Sequence, residues 1–469
     1  MARGAATTAG AASSRPCGCA GCSTAAGSPS NRQRAPRPAP AAAAQKPAAV
    51  VAPANWWTLY NDEALNRLVD ETLKNNLDLR VAVARISEAR SQLGLAVSDQ
   101  LPSVYATGSR ERNRNSEATA FAGQGQPVES TTNRATLNVS WELDFWGKYR
   151  RATEAARADL LAVEANRDGL RLSLVAQVAQ GYFNLVALDS RIAATGLAIK
   201  RGQEALDLQK KRFDAGVISE FDYQQRAAEV DAARAQLPPL QSQLGAQERA
   251  LSVLLGRSPR AVMAGKVERS GAFVPTAAVV APAGLPSDLL LRRPDLVEAE
   301  QRLVASNARI GVARAAFFPS ITLTGFLGSE SSSLGDLFSG PARIWNFAGN
   351  LTQPLWGASR INKQVDAAEA RNEQSVAQYR NAIANAFREV QDAIQSQSAA
   401  REVYEIEQRR VTSLSKTWDL AKLRYANGIA SQLDVIDAER NLLLAELNRI
   451  EAERVLRTAV ADFYRALGG

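Results

Sequence analysis

From Arg134 to Phe145 the chain alternates. Leu137, Val139, Trp141, Leu143 and Phe145 fall on one side, and Thr136, Asn138, Ser140, Glu142 and Asp144 on the other. A period of two predicts a β-strand. An apolar face opposite a strongly polar one over about 10 residues fits a membrane-barrel strand, lipid outside and water inside. The strand is expected at about 134–145. A less regular alternation at about 103–112 predicts its partner, with the polar stretch Asn113 to Asn133 as an external loop. Two more strands are expected at about 320–329 and 343–353, the second setting Trp345, Phe347 and Leu351 against Asn346, Asn350 and Thr352.

Elsewhere the period is helical. Leu65, Leu68, Val69 and Leu73 share one face of a first helix, and a second runs from Leu77 to about Val97. From Trp146 the pattern continues to Phe213, with Leu185, Ile192, Ile199, Leu206 and Phe213 every seven residues. At 1.5 Å per residue such a helix spans about 100 Å. The period of 3.5 predicts a left-handed coiled coil with a neighbour. A return helix is expected from Ser219 to about Leu255, interrupted at Pro238-Pro239, which completes a helical hairpin over 146–255. A second hairpin is expected over 357–467, where Tyr404, Val411, Trp418 and Tyr425 keep the heptad of the first.

The two hairpins are copies. LDLQKKRFDAGVISEFDYQQ at Leu206 and WDLAKLRYANGIASQLDVID at Trp418 align without a gap at an offset of 212 residues. They share Arg212/Arg424, Gly216/Gly428, Ser219/Ser431 and Asp222/Asp434. Each reads as a helix end, a Gly suited to positive φ, then a Ser and an acidic residue suited to open the next helix. The strand regions repeat too: Asn75 onward aligns with Arg292 onward, and Trp146-Gly147 with Trp356-Gly357. The expected organisation is a leader and disordered tether at 1–54, a first repeat at 55–256, an extended linker at 257–286 and a second repeat at 287–469. The fold class is mainly α with a membrane β-barrel portion: long hairpins and four strands per chain, internally duplicated.

Four strands cannot close a barrel, and open edges in lipid are costly. Two copies would make eight strands, a barrel filled by its own side chains; three make twelve and leave a channel. A trimer is therefore expected.

Composition changes this picture little. The net charge is +8, but residues 1–61 hold six basic residues and no acidic one, so the rest of the chain carries +2. No basic stripe marks a nucleic-acid binder. Histidine is absent, which removes the commonest general base and the usual metal ligand. No enzyme chemistry, cofactor or metal is expected. No run of 18 apolar residues occurs, so no transmembrane helix is expected. The three cysteines, Cys17, Cys19 and Cys22, lie in the N-terminal tail.

The segments WWTLYNDEALNRLV, LPSDLLLRRPDLVEAEQRLVASNARIGVARAAFFPSITLTG, RFDAGVIS and RYANGIAS resemble the outer membrane factors, the TolC-like efflux channels of Gram-negative bacteria, in their lipoprotein branch. The likeness spans about Asn55 to Gly469. It implies a trimeric twelve-stranded barrel in the outer membrane and a helical tunnel in the periplasm. It also implies a periplasmic adaptor and an inner-membrane pump as partners, and no nucleic acid. Cys19-Ala20-Gly21-Cys22-Ser23 resembles the end of a lipobox, with Cys22 as the lipidation site and Cys17 and Cys19 removed with the leader. Two features depart from that pattern: Cys19 stands where Leu is usual, and residues 1–18 lack the apolar core of a secretory signal.

The tips are the candidate site. Gly216, Val217 and Ser219, with Gly428, Ile429 and Ser431, are expected to dock the adaptor. Asp434 and Asp437, three apart on one helix face, match the paired aspartates that line the periplasmic entrance in the resembled family. The first copy keeps Asp222 but has Gln225 in place of the second acid. Arg424, with Arg212 as its equivalent, is the expected counter-ion. The alternative for the aspartates is simple helix capping. For the chain as a whole the expectation is the exit duct of a drug or metal pump. A protein-secretion duct, a soluble coiled-coil scaffold and an enzyme using Asp434 and Asp437 are the other readings.

Overall fold

Four strands form one antiparallel sheet in chain order: β1 Ser103–Arg114, β2 Glu129–Glu142, β3 Ser320–Ser331 and β4 Arg343–Thr352. The computed structural model describes residues 55–118, 128–270 and 292–468. Pairing runs unbroken from Ser103↔Ser140 to Arg114↔Glu129, from Glu142↔Thr322 to Asn133↔Ser331, and from Ser320↔Thr352 to Ser329↔Arg343. With no bulge, strand alternation sorts the side chains into two faces. Val104, Leu137, Val139, Trp141, Leu323, Leu327, Trp345, Phe347 and Leu351 share one, and all are exposed. The opposite face is a polar ladder. Thr107 and Thr136 hydroxyls meet at 2.9 Å, Asn138 donates to the Thr107 hydroxyl at 3.0 Å, and Arg134 pairs with Glu330 at 3.4 Å.

β2 is displaced from the expected 134–145. It starts five residues earlier and stops at Glu142, although Leu143 and Phe145 keep the alternation. Asp144 leaves the ladder because its carboxylate accepts from the N–H groups of Tyr149 and Arg150 at 3.2 and 2.9 Å, capping the next helix. β1 likewise runs past Arg112 to Arg114, so the expected loop is shorter; its residues 119–127 lie outside those described.

Helices α1 (Glu63–Asn75) and α2 (Leu77–Ser98) precede β1. Helix α3, Lys148–Asp214, has 67 residues, about 100 Å of rise. It starts at Gly147, whose φ of 77° turns the chain from strand to helix. Helices α4 (Glu220–Ala235) and α5 (Leu237–Leu254) return. The break falls at Gln236, just before Pro238 and Pro239, which sit in the first turn of α5 where a missing N–H costs nothing. The connection expected to be extended holds a short helix, α6 Pro259–Ala264, and its residues 271–291 lie outside those described. Helix α7 (Pro294–Ala315) copies α2, α8 (Ala358–Ala426) copies α3, and α9 (Gln432–Leu467) returns unbroken because it has no proline pair.

The core sits halfway along α3. Val175, Val178, Ala179, Tyr182, Phe183, Leu185 and Val186 pack with Leu65, Leu68 and Val69 of α1, Leu251 of α5 and Val460 and Tyr464 of α9. Trp56 stacks on Tyr464 at 5.5 Å, and the Tyr60 hydroxyl donates to the Arg457 carbonyl at 2.7 Å. These contacts tie the first described residues to the last helix. Tyr182 donates to Asp62 at 2.5 Å; burial, then this bond, pushes its pKa up to about 12, so it remains a neutral donor. Arg293, buried ahead of α7, donates to Asp295, to Glu389 of α8 and to the Ala466 carbonyl of α9 at 2.7–2.8 Å. Toward the strands α3 packs on α2 and α7, and all three present buried alanines: Ala155, Ala158 and Ala162, with Ala82, Ala89, Ala305 and Ala308. Small side chains allow the close approach.

Candidate functional site

Both long helices end in the same hydrogen-bonded stop. At the first tip Gly216 N–H donates to the Phe213 carbonyl and Val217 N–H to that of Arg212, both at 2.8 Å. At the second, Gly428 donates to Tyr425 at 3.0 Å and Ile429 to Arg424 at 2.9 Å. This is the Schellman arrangement, which needs a left-handed residue at its corner. Gly216 and Gly428 supply it, with φ of 72° and 73°. Val217 and Ile429 are 71% and 68% exposed, so neither packs on its own helix.

Serine then opens each return helix. Ser219 Oγ accepts from Asp222 N–H at 3.2 Å and donates to its carboxylate at 2.6 Å. Ser431 Oγ accepts from Asp434 N–H at 3.3 Å, and the Asp434 carboxylate accepts from Ser431 N–H at 2.8 Å, a complete capping box. The Ser431 hydroxyl, its N–H and the nearby Arg424 guanidinium hold the Asp434 carboxyl below its ordinary range. A lowered folded pKa means that this cap contributes fully above the unfolded value and is lost as pH falls through the folded one.

The structure places the remaining expected site residues as follows. Asp437 is half-buried one turn into α9 and pairs with Arg440 at 2.9 Å. Arg424 makes no ion pair within 4 Å among the described residues, although it sits close enough to act on Asp434. Arg212 donates to the Tyr425 hydroxyl at 3.1 Å, bridging the two hairpins rather than holding an aspartate. Gln432 donates to the Asp222 carbonyl at 3.3 Å, so the two tips lie side by side. Cys22 lies outside the described residues, as do Cys17 and Cys19.

One pair was missed by sequence reasoning. Arg226 of α4 and Glu439 of α9 meet at 2.7 Å, with the arginine side chain only 5% exposed. A buried pair at this depth holds only while both partners are present. The sign of it lies in the imperfect repeat: the 212-residue offset puts Ala438 opposite Arg226 and Ala227 opposite Glu439, two departures at neighbouring positions.

A sheet with an exposed apolar face and a polar inner one, carried on helices about 100 Å long, defines a channel subunit of a bacterial outer membrane. The chain matches the outer membrane efflux protein family over residues 68–257 and 285–469, and it belongs to that family. It is 34% identical to the cation efflux system protein CusC of Escherichia coli O6:H1 over 418 residues, 89% of this chain and 88% of that one. It is 35% identical to the antibiotic efflux pump outer membrane protein ArpC of Pseudomonas putida over 415 residues, 88% and 84% of the two chains. The crystal structure of the CmeC outer membrane channel of Campylobacter jejuni superposes with a TM-score of 0.85 at 29% identity, covering 88% of this chain and 87% of that one. The chain is an outer-membrane channel component of an efflux system, with its strands in the membrane and its helices in the periplasm.

Proposed function

We propose that three copies of the chain close a twelve-stranded barrel, and that the assembly is the passive exit duct of a tripartite pump. A periplasmic adaptor protein would join it to an inner-membrane transporter. The sheet carries this reading: an apolar face, a polar face and two unpaired edges, β1 and β4. In lipid each unpaired backbone group costs several kcal/mol. Three copies remove every edge and leave a lumen lined by the Thr107, Thr136 and Asn138 ladder, whereas two would fill it with side chains. The tips Gly216–Ser219 and Gly428–Ser431 dock the adaptor, supported by the exposed Val217 and Ile429. Asp434 and Asp437 form the gate with Arg424 of the same tip and with Asp222 and Arg212 of the first tip beside it. Relatives named for cations and for antibiotics stand at nearly equal identity, so we assign cargo selection to the pump. Native mass in detergent is expected at three times the chain mass; a stable, folded monomer would sink the reading.

We also place a lipid anchor on Cys22, on the small residues Ala20 and Gly21 before it and Ser23 after it. Mass spectrometry of the mature N-terminus should find an acylated Cys22 and no Cys17 or Cys19. An unmodified peptide continuous from Cys19 through Cys22 refutes this.

A further inference from the structure

The duplication specifies how the open sheet edges meet. β1 and β3 share both ends at an offset of 217, Ser103–Arg114 against Ser320–Ser331. β2 and β4 share their last residue at an offset of 210, Glu142 against Thr352, each four residues before a Trp-Gly pair. Within the chain, β2 meets β3 with Asn133 opposite Ser331, Leu137 opposite Leu327 and Glu142 opposite Thr322. Carried by those offsets to two copies, β4 meets β1 of the next copy with Arg343 opposite Arg114, Phe347 opposite Arg110 and Thr352 opposite Tyr105. The faces agree independently, since Arg343, Phe347, Arg110 and Arg114 all lie on the apolar outward side of the sheet.

The base of the seam follows the same rule. The Trp146 indole donates to the Pro319 carbonyl at 2.8 Å and stacks on Phe318 at 4.6 Å. Its copy, Trp356, is 97% exposed, and the copies of its partners, Pro102 and Leu101, lead into β1. The next copy supplies them.

At the outer rim this register brings like charges together. Arg114 of β1 comes directly opposite Arg343 across the seam, and Arg112 and Arg110 follow on the same face of β1 toward the apolar band. Glu129 pairs with Arg112 at 2.6 Å and lies 3.7 Å from Arg114, and Glu117 reaches Arg114 at 3.4 Å, so a phosphate on Arg114 would share that arginine with these exposed carboxylates. Among the described residues, no carboxylate lies within 4 Å of Arg343 or Arg110, and residues 119–127 contain no acidic one. Like charges directly opposite on neighbouring strands repel. A phosphate between them would accept from both guanidinium groups. We propose that each seam binds a phosphate group of an outer-leaflet glycolipid through Arg343 of one copy and Arg114 and Arg110 of the next, an inference that rests on the three-copy barrel.

Delipidated trimers, given bisphosphorylated lipid A or its dephosphorylated form, test this by native mass spectrometry. The phosphorylated lipid should be retained at up to three per trimer and the dephosphorylated one should not. Arg343→Gln with Arg114→Gln should lower retention about tenfold, while the lumen-facing Arg134→Gln leaves it unchanged. Equal retention of both lipids, or full retention by the double variant, overturns the proposal. The register is read separately, with the tail cysteines replaced by serine. Asn350→Cys with Thr107→Cys should oxidise to covalently linked copies, and Asn350→Cys with Glu111→Cys should not. Preference for the shifted pair overturns the seam and leaves the trimer standing, whereas monomers by native mass remove both.

Discussion

Replacing Asp434 and Asp437 together by asparagine should remove the cation preference of the channel. In a threefold assembly these residues would gather six carboxylates into two close rings at the narrow periplasmic end, a field that concentrates cations. A fall of about tenfold in cation-over-anion permeability is the expected scale in planar-bilayer conductance. Asparagine is the right replacement because the amide oxygen can still accept from Ser431 N–H, which leaves the capping box and the α9 start in place. Arg424→Ser should raise conductance, since its guanidinium acts on Asp434 and is the charge that holds the helices closed in the proposed gate. The competing account is that Asp434 only caps a helix and Asp437 only pairs with Arg440, and both contacts exist in the isolated chain. Unchanged selectivity in the double variant would decide for that account, and the constriction would lie elsewhere.

Substitution of Gly216 or Gly428 by valine should abolish efflux while leaving trimer yield nearly unchanged. A Cβ at either position meets nothing within 4 Å, so the chain has room for a side chain. The cost is local, about 1–2 kcal/mol for a left-handed non-glycine residue, and it falls at a tip far from the core and the sheet. What the side chain would obstruct is the approach of another backbone. Asparagine separates the two effects because it tolerates the left-handed conformation but still adds bulk. Efflux should fall with asparagine as well, measured as resistance to pump substrates and as cross-linking to the adaptor. Wild-type efflux by the asparagine variants would reduce the glycines to turn formers. Collapse of trimer yield with valine would make them structural and end the docking inference.

Strands and long helices were legible because lipid and water sort side chains at a period of two, and a helical core sorts them at 3.5 or 3.6. The duplication was legible because both copies solve the same turn, and only glycine fits its positive φ without strain. The strand ends were not. β2 begins at Glu129, where it stands above the apolar band and needs no alternation, and it stops at Glu142 because capping α3 takes Asp144 out of the ladder. Period reports burial; it does not report which of two hydrogen-bonding demands prevails.

By itself, then, the sequence determined the elements and the two tips, which depend on residues within a few positions of one another, and their twofold repetition, which shows when those local patterns are aligned at a fixed offset. The tertiary structure alone decided the partners across the chain: Arg226 with Glu439, Arg293 between α8 and α9, Trp56 on Tyr464, and Arg212 on Tyr425 instead of an aspartate. Those pairs are separated by 96 to 408 residues, and no local periodicity encodes them. They follow from how the hairpins pack around the middle of α3, where one buried side chain fixes its neighbour only after both helices have met.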